Sequence, residues 1–464
     1  VSRYYTGADW RTASLVFLVA LGVYCATLAP TITLEYSGQL VVAADHAGVA
    51  RPPGYPVWHL LAKAFTTLFS FVEYRAHPNP AWAVNFLSAL LGALSCGTLA
   101  LLVSRETRAL AGDTPAAESR DASLARASAA FAAALLFGFC PAMWSQSVIA
   151  ETHTLTNFHL LALMAVLLRW VQRREERSIH AVSLLFGLGV SISPLLVLLA
   201  PVMLLAASLV SRRAVLTLAT ATGLFLSFIG LEFVLGHRSP AAAALLLVGF
   251  LGTILGLWFR PCTRAVSCPA LLMLAGLLPY LYLPVAAAGH PPMNMGYACT
   301  WEGFWHVLSR GQYEALSPLN PFTHAALFGD QLRAYASLAV AQFTAPILAV
   351  ALVPVAILPR LRRPARRSLA VLLTALFLFS VVTLLGAHPS VDVQTLFAAR
   401  LLFIPSFALL AILIGYGLVL VLDRLRERDA QHGARDNRQE DTHGRPRPDA
   451  EAEEALPGAG GAAR

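Results

Sequence analysis

Charge is what this chain has least of. Asp, Glu, Lys and Arg make up 13% of its 464 residues, where an ordinary globular chain carries roughly 25%. That leaves too little polar surface to cover a water-soluble particle, and 57% of the residues are hydrophobic, with a mean hydropathy of +0.63. A soluble protein is excluded. Cysteine is also sparse: the six stand scattered at 25, 96, 140, 262, 268 and 299. Cys25, Cys96 and Cys140 lie inside apolar runs, where a thiol acts as a small hydrophobe. Cys262 and Cys268 lack the paired spacing of a zinc site. Neither a disulfide framework nor a metal cluster is legible. The net charge of +8 does not point to nucleic acid, whose binding needs basic residues clustered with aromatic or groove-reading elements.

What is present is a succession of apolar runs. A membrane span needs about 20 predominantly apolar residues, and the runs fall at 13–30, 84–104, 127–147, 153–171, 180–193, 195–210, 214–235, 240–259, 268–288, 336–357, 368–386 and 399–422. Arg3 and Arg11 precede the first run, which continues through Val16–Pro30 without a small-residue cleavage site and reads as an uncleaved span. Pro194 would break a continuous helix over 180–210, so this stretch reads as two passes rather than one kinked helix. With that count, the groups Arg105/Arg108/Arg120/Arg126, Arg173/Arg174/Arg177, Arg212/Arg213, Arg260/Arg264 and Arg360–Arg367 share one side with both termini. The Lys/Arg bias makes that side cytoplasmic. The expected fold is all-α: a polytopic membrane domain of about 12 transmembrane helices over residues 1–423. Two longer outer loops, 31–83 and 289–335, carry amphipathic helices at Trp58–Phe71 and Trp301–Tyr313. Residues 424–464 are charged, Gly/Pro-rich and nearly free of large apolar residues, so a disordered cytoplasmic tail is expected. No internal repeat stands out of the kind that builds many transporters.

Chemistry is to be sought where polar residues crowd the outer ends of the spans. The first outer loop places Glu35, Asp45, His46 and Arg51 in one stretch, ahead of Pro52-Pro53-Gly54-Tyr55-Pro56. Carboxylates can act as general bases toward an acceptor hydroxyl or hold a divalent cation. Arg51 offers a planar fork suited to phosphate, and the prolines fix the turn that presents it. The same loop would carry solvated charges with no function at all. Glu151 sits at the narrow turn between two apolar spans, beside Trp144, Gln146 and His153, as either a surface charge or a site residue. In the second outer loop stand Asn294, Glu302, Arg310 and Gln312. Arg400 opens the last span, where an arginine either snorkels to headgroups or binds a lipid-linked phosphate.

Taken in order, the segments TLAPTITLEYSGQLVVAADHAGVARPPGYPVW, NPAWAVNFLSALLGAL, IAETHTLTN, LPYLYLPVAAAGHPPMNMG with WEGFWHVLSRGQY, and ARLLFIPSF resemble the multi-pass family catalogued as domain of unknown function 2723. Animal members of that family are protein O-mannosyltransferases, and it looks like a branch of the glycosyltransferase C-type superfamily. The resemblance implies transfer of a sugar from a polyprenyl-phosphate carrier on the non-cytoplasmic face. The family's first loop usually reads D-S-G-E and then H-P-P-G-x-P. Here Tyr36, Ser37, Gly38 and Gln39, then Arg51, Pro52, Pro53, Gly54, Tyr55 and Pro56, occupy those positions. Both acids of the first motif and the His are replaced, and Glu35 is the nearest carboxylate. Ile192, Ser193 and Pro194 stand where the family has Asn-His-His. Glu151 matches the second-loop Glu, and Arg400 the final-span Arg.

The reading that follows is a membrane glycosyltransferase moving a sugar, such as mannose, from a lipid-linked donor to a protein or glycan acceptor. Glu35 or Asp45 is the expected base and Glu151 a second carboxylate. Arg51 and Arg400 are expected to hold the lipid phosphate, with His46, Tyr55, His153, Asn294 and Arg310 lining the substrate. The runner-up with the same fold is a non-catalytic binder of lipid-linked sugar. A secondary transporter or lipid flippase would instead need charges buried mid-span along a pathway, and the spans are poor in them.

Overall fold

The computed structural model describes residues 4–111, 120–175, 177–237, 247, 249–254, 258, 263–311 and 319–443. Among the described residues the fold is helical apart from a two-stranded hairpin, Glu73–Tyr74 with His77–Pro78, and one isolated bridge, Val49 with Asn294. The chain divides into two units, residues 1–419 and 420–464. The second holds the end of the helix Ile404–His443. The expected tail from Arg424 falls on that helix and on residues 444–464, which lie outside the described residues.

In the first unit, α1 (Gly7–Ala26) starts at a capping box: Thr6 Oγ1 accepts from Asp9 N, and the Asp9 carboxylate accepts from Thr6 N at 2.7 Å. Then come α2 (Ser37–Asp45), α3 (Pro56–Leu68) and the long α4 (Pro80–Ala111). A helical pair, α5 (Arg120–Gly138) and α6 (Pro141–Ser147), bends by 70° at Cys140-Pro141, where proline opens the second helix as its first residue. α7 (His153–Arg173) follows, then α8 (Ser178–Ile192) and α9 (Leu199–Val210). Ser193 is extended (φ −155°, ψ 129°) ahead of Pro194, so the break falls where the proline predicts it.

α1 packs on α4, which packs on α5 and α7. Small residues bring the backbones close. A Cβ on Gly97 would stand 3.1 Å from the Ala13 carbonyl, and Tyr24 Oη donates to the Gly138 carbonyl at 2.7 Å. Close approach of this kind drives helix association where lipid removes the hydrophobic contribution. On the outside, Leu15, Leu18, Leu271 and Val285 are more than half exposed. Such side chains along long apolar helices are suited to lipid.

Among the described residues, six helices are long and apolar enough to cross a membrane, or eight if each bent pair is one span. This is a polytopic membrane protein. The count is lower than the twelve read from hydropathy because four runs are not in it, among them 214–235, which lies on the helix Arg212–His237. The run 240–259 falls largely outside the described residues, and 180–210 forms helices of 15 and 12 residues, short of a full span. The spans also fix where the site sits. Ser88 and Arg108 of α4 are 20 residues apart, about 30 Å at 1.5 Å per residue, which matches the hydrocarbon thickness of a bilayer. Arg108 pairs with buried Asp9 at 3.2 Å, and Ser88 reaches Glu151 at the other end.

Candidate functional site

The first loop is fastened to the start of α4. Asn79 Nδ2 donates to the Pro30 carbonyl at 2.7 Å, and Asn85 Nδ2 donates to the carbonyls of Ala29 at 2.8 Å and Thr31 at 3.2 Å. Glu35 comes next with a left-handed backbone, φ +65°, unusual for a residue with a Cβ. Its exposed carboxylate accepts from Gln146 Nε2 at 3.3 Å. Gln146 itself is fully buried. It reaches this position because the bend at Pro141 turns α6 across the end of the bundle, where Trp144 Nε1 donates to Thr27 Oγ1 at 3.1 Å.

Arg51 follows α2. Gly54 N donates to the Arg51 carbonyl at 3.0 Å, and the Pro52-Pro53 bond is cis. Gly54 has φ +89°, and a Cβ there would also meet the Leu283 side chain at 2.7 Å, so the turn requires glycine. The Arg51 guanidinium lies 3.9 Å above the Tyr36 ring and 5.9 Å from that of Tyr55, both within cation–π range. Its Nη2 is 3.3 Å from Glu151 Oε2.

Glu151 is 1% exposed and held on every side. Its carboxylate accepts from Arg51 and, at 3.1 Å, from Thr152 N. Its carbonyl accepts from Trp58 Nε1 at 3.1 Å and Ser88 Oγ at 3.4 Å, while its own N–H donates to Ser88 Oγ at 3.3 Å. Burial pushes the Glu151 carboxyl above the usual carboxylate range, against the opposing pull of Arg51 and the Thr152 N–H. His153 lies within electrostatic reach of both Arg51 and Glu35. Arg400 lies within reach of Glu35 and sits 3.4 Å over the Phe397 ring.

Of the residues singled out from sequence, the fold therefore brings Glu35, Arg51, Tyr55, Glu151, His153 and Arg400 to one end of the bundle. Others are placed differently. Asp45 ends α2 half-exposed, its carboxylate 3.8 Å from His46 Nδ1, and its carbonyl accepts from Lys63 Nζ at 2.6 Å. Asn294 stitches the two outer loops together. It forms a parallel bridge with Val49, flanked by Val49 N to the Met293 carbonyl at 2.8 Å and Met295 N to the Val49 carbonyl at 3.0 Å. Its side chain donates to the Ala287 carbonyl. Arg310 is exposed just past the helix Trp301–Leu308, with φ +60°, and Gln312 lies outside the described residues. Sequence reasoning missed the roles of Gln146, Ser88, Trp58 and Tyr36. A glutamine and a serine inside apolar runs were the available signal. Among the described residues, no three His, Cys, Asp or Glu side chains are grouped as metal ligands.

Residues 37–216 match the family described as the protein O-mannosyl-transferase TMEM260 N-terminal domain. The chain is 32% identical over 190 residues to protein O-mannosyl-transferase TMEM260 of Mus musculus, covering 39% of this chain and 24% of the mouse protein. It is 25% identical over 154 residues to protein O-mannosyl-transferase tmem260 of Dictyostelium discoideum, covering 32% of this chain and 16% of that protein. The chain thus spans about a quarter or less of the length of the relatives it matches, and is homologous to these proteins over that part. The family match includes Arg51 and Glu151; Glu35 and Arg400 lie outside it.

Proposed function

We propose that this chain is a membrane glycosyltransferase that moves a sugar, mannose by analogy with its relatives, from a polyprenyl-phosphate donor to an acceptor hydroxyl. The observation that supports it is the division of labour between two carboxylates at one membrane surface. Glu151 is buried and its carboxylate already accepts from Arg51 and Thr152 N, so it positions Arg51 and is not open to an acceptor hydroxyl. Glu35 is exposed and bound by a neutral amide, so it is the group an acceptor hydroxyl can reach. A general base must come within hydrogen-bond reach of the proton it removes. Arg51, fixed by Glu151 and the Tyr36 ring, presents its guanidinium for the lipid phosphate, with Arg400 as the second cation. Asp45, turned toward His46, takes no part. This reading puts the site on the non-cytoplasmic face of a domain of about twelve passes, with both termini cytoplasmic.

A second reading keeps the fold and drops the chemistry. Tyr36 and Gln39 replace both acids of the first-loop pattern, which favours a non-catalytic binder of lipid-linked sugar. Transfer of radiolabelled mannose from polyprenyl-phosphate mannose, in membranes carrying the chain, separates the two. Glu35→Gln should lower the rate by about 10²–10⁴-fold, while Asp45→Asn leaves it unchanged. Full activity in Glu35→Gln removes Glu35 as the base. Donor binding without transfer by the unaltered chain decides for the binder.

A further inference from the structure

The far end of the bundle holds a cavity that the proposed chemistry does not use. It has a volume of about 560 Å³ and opens between the first turns of α1 and α5, lined by Thr6, Arg11, Thr12, Arg108, Arg120 and Ser123, among others. It lies beside Arg108, about 30 Å along α4 from Ser88, at the membrane surface opposite Glu151. We propose that this cavity binds the phosphate headgroup of an anionic phospholipid.

Charge supports the assignment first. Among the described residues, three arginines line the cavity against one lining acid, Asp121. Asp9, fully buried, pairs with one of these arginines: it accepts from Ser104 Oγ at 2.6 Å and from Arg108 at 3.2 and 3.3 Å, which leaves Arg11 and Arg120 for a ligand. That pairing fixes the Arg108 guanidinium in the wall, while Arg11 and Arg120 are exposed at the rim. Arginines at a membrane surface attract anionic headgroups, and the guanidinium fork suits phosphate oxygens.

Shape argues for a lipid rather than a soluble anion. The α1 residues in the wall, Ala8, Arg11 and Thr12, continue at helical spacing into Leu15, Leu18 and Gly22. Leu15 is 54% and Leu18 62% exposed, and a Cβ on Gly22 would meet nothing within 4 Å. On the α5 side, Leu124 is 62% exposed. An open apolar track thus leaves the cationic cavity along the first span. A headgroup above and an acyl chain below would fill both, whereas a free phosphate would use only the upper part.

The proposal stands independently of whether the chain transfers sugar. The test uses the purified full chain, delipidated in neutral detergent, with phosphatidylglycerol and phosphatidylcholine titrated separately and binding read by native mass spectrometry. Preferential binding of phosphatidylglycerol is expected. Arg11→Ala and Arg120→Ala should each weaken it roughly fivefold, and the double variant about 30-fold. Both residues are exposed, so thermal stability should match the unaltered chain and confirm folding. Equal affinity for the two lipids, or an unchanged preference in the double variant, overturns the proposal. Complete displacement of phosphatidylglycerol by millimolar inorganic phosphate also overturns it, because the ligand would then be a soluble anion.

Discussion

Replacing Arg51 by Met keeps the length of the side chain and removes its charge. It leaves Glu151, 1% exposed, with only the Thr152 N–H on its carboxylate. Taking one partner from a buried ion pair costs about 3–5 kcal/mol, because the remaining charge stays unpaired in a poor solvent. Glu151 can escape part of that cost by taking up a proton, so the penalty depends on pH. In the native chain, burial holds its folded pKa above the unfolded value of 4.5. Its contribution to stability is therefore complete below that value and declines as pH rises through the folded one. Arg51 is one of the two groups that hold the folded value down, so Arg51→Met raises it further. The variant then loses more stability over a wider range. Thermal unfolding in detergent should show native chain and variant close together near pH 5 and the gap opening toward pH 8. Adding Glu151→Gln should recover most of the loss at pH 8, since an amide leaves no buried charge. A gap that is constant with pH, or no rescue by the second substitution, would show that Arg51 stabilises through packing alone.

Gly48→Ala should separate the two outer loops. The added Cβ would stand 2.3 Å from the Met293 carbonyl, so the Val49–Asn294 bridge must give way. Protease cleavage within 289–311 should quicken while the bundle stays folded; unchanged cleavage would count against the stitch. Reporter fusions near residues 115 and 310 should report opposite sides of the membrane, as the grouping of arginines requires. Signals from the same side would overturn the twelve-pass reading.

The helices were legible in the sequence because lipid imposes a single requirement, a run of apolar residues long enough to cross. Pro194 marked a true break for a local reason, the missing N–H and the ring's clash with the preceding turn. Less visible was how short the pieces around a break would be. α6 has 7 residues, yet hydropathy merged it with α5 into one run over 127–147. The bend between them is what delivers Gln146 to Glu35. A window of hydropathy averages over such a turn and reports only that both sides are apolar.

The site was legible residue by residue but not as a set of partners. Arg51 and Glu151 are 100 positions apart, and Ser88 and Trp58, on two other helices, help to hold the Glu151 turn beside Arg51. Asp45 stands apart from the other carboxylates, which sequence does not show because loop carboxylates look alike in it. The structure makes this stretch the helix α2, which buries Ser37, Leu40, Val41, Ala43 and Ala44 and leaves Asp45 at its open end. Tyr36 misled, since beside the family pattern it reads only as a lost acid. In the fold its ring lies under the Arg51 guanidinium, an aromatic face beside the Glu151 carboxylate. The consequence for Glu35 is direct. The carboxylate hydrogen-bonded to Arg51 is that of Glu151, and the partner of Glu35 is the neutral Gln146. On the proposed reading, Glu35, exposed and outside that ion pair, is the carboxylate one residue from Tyr36 that an acceptor hydroxyl can reach.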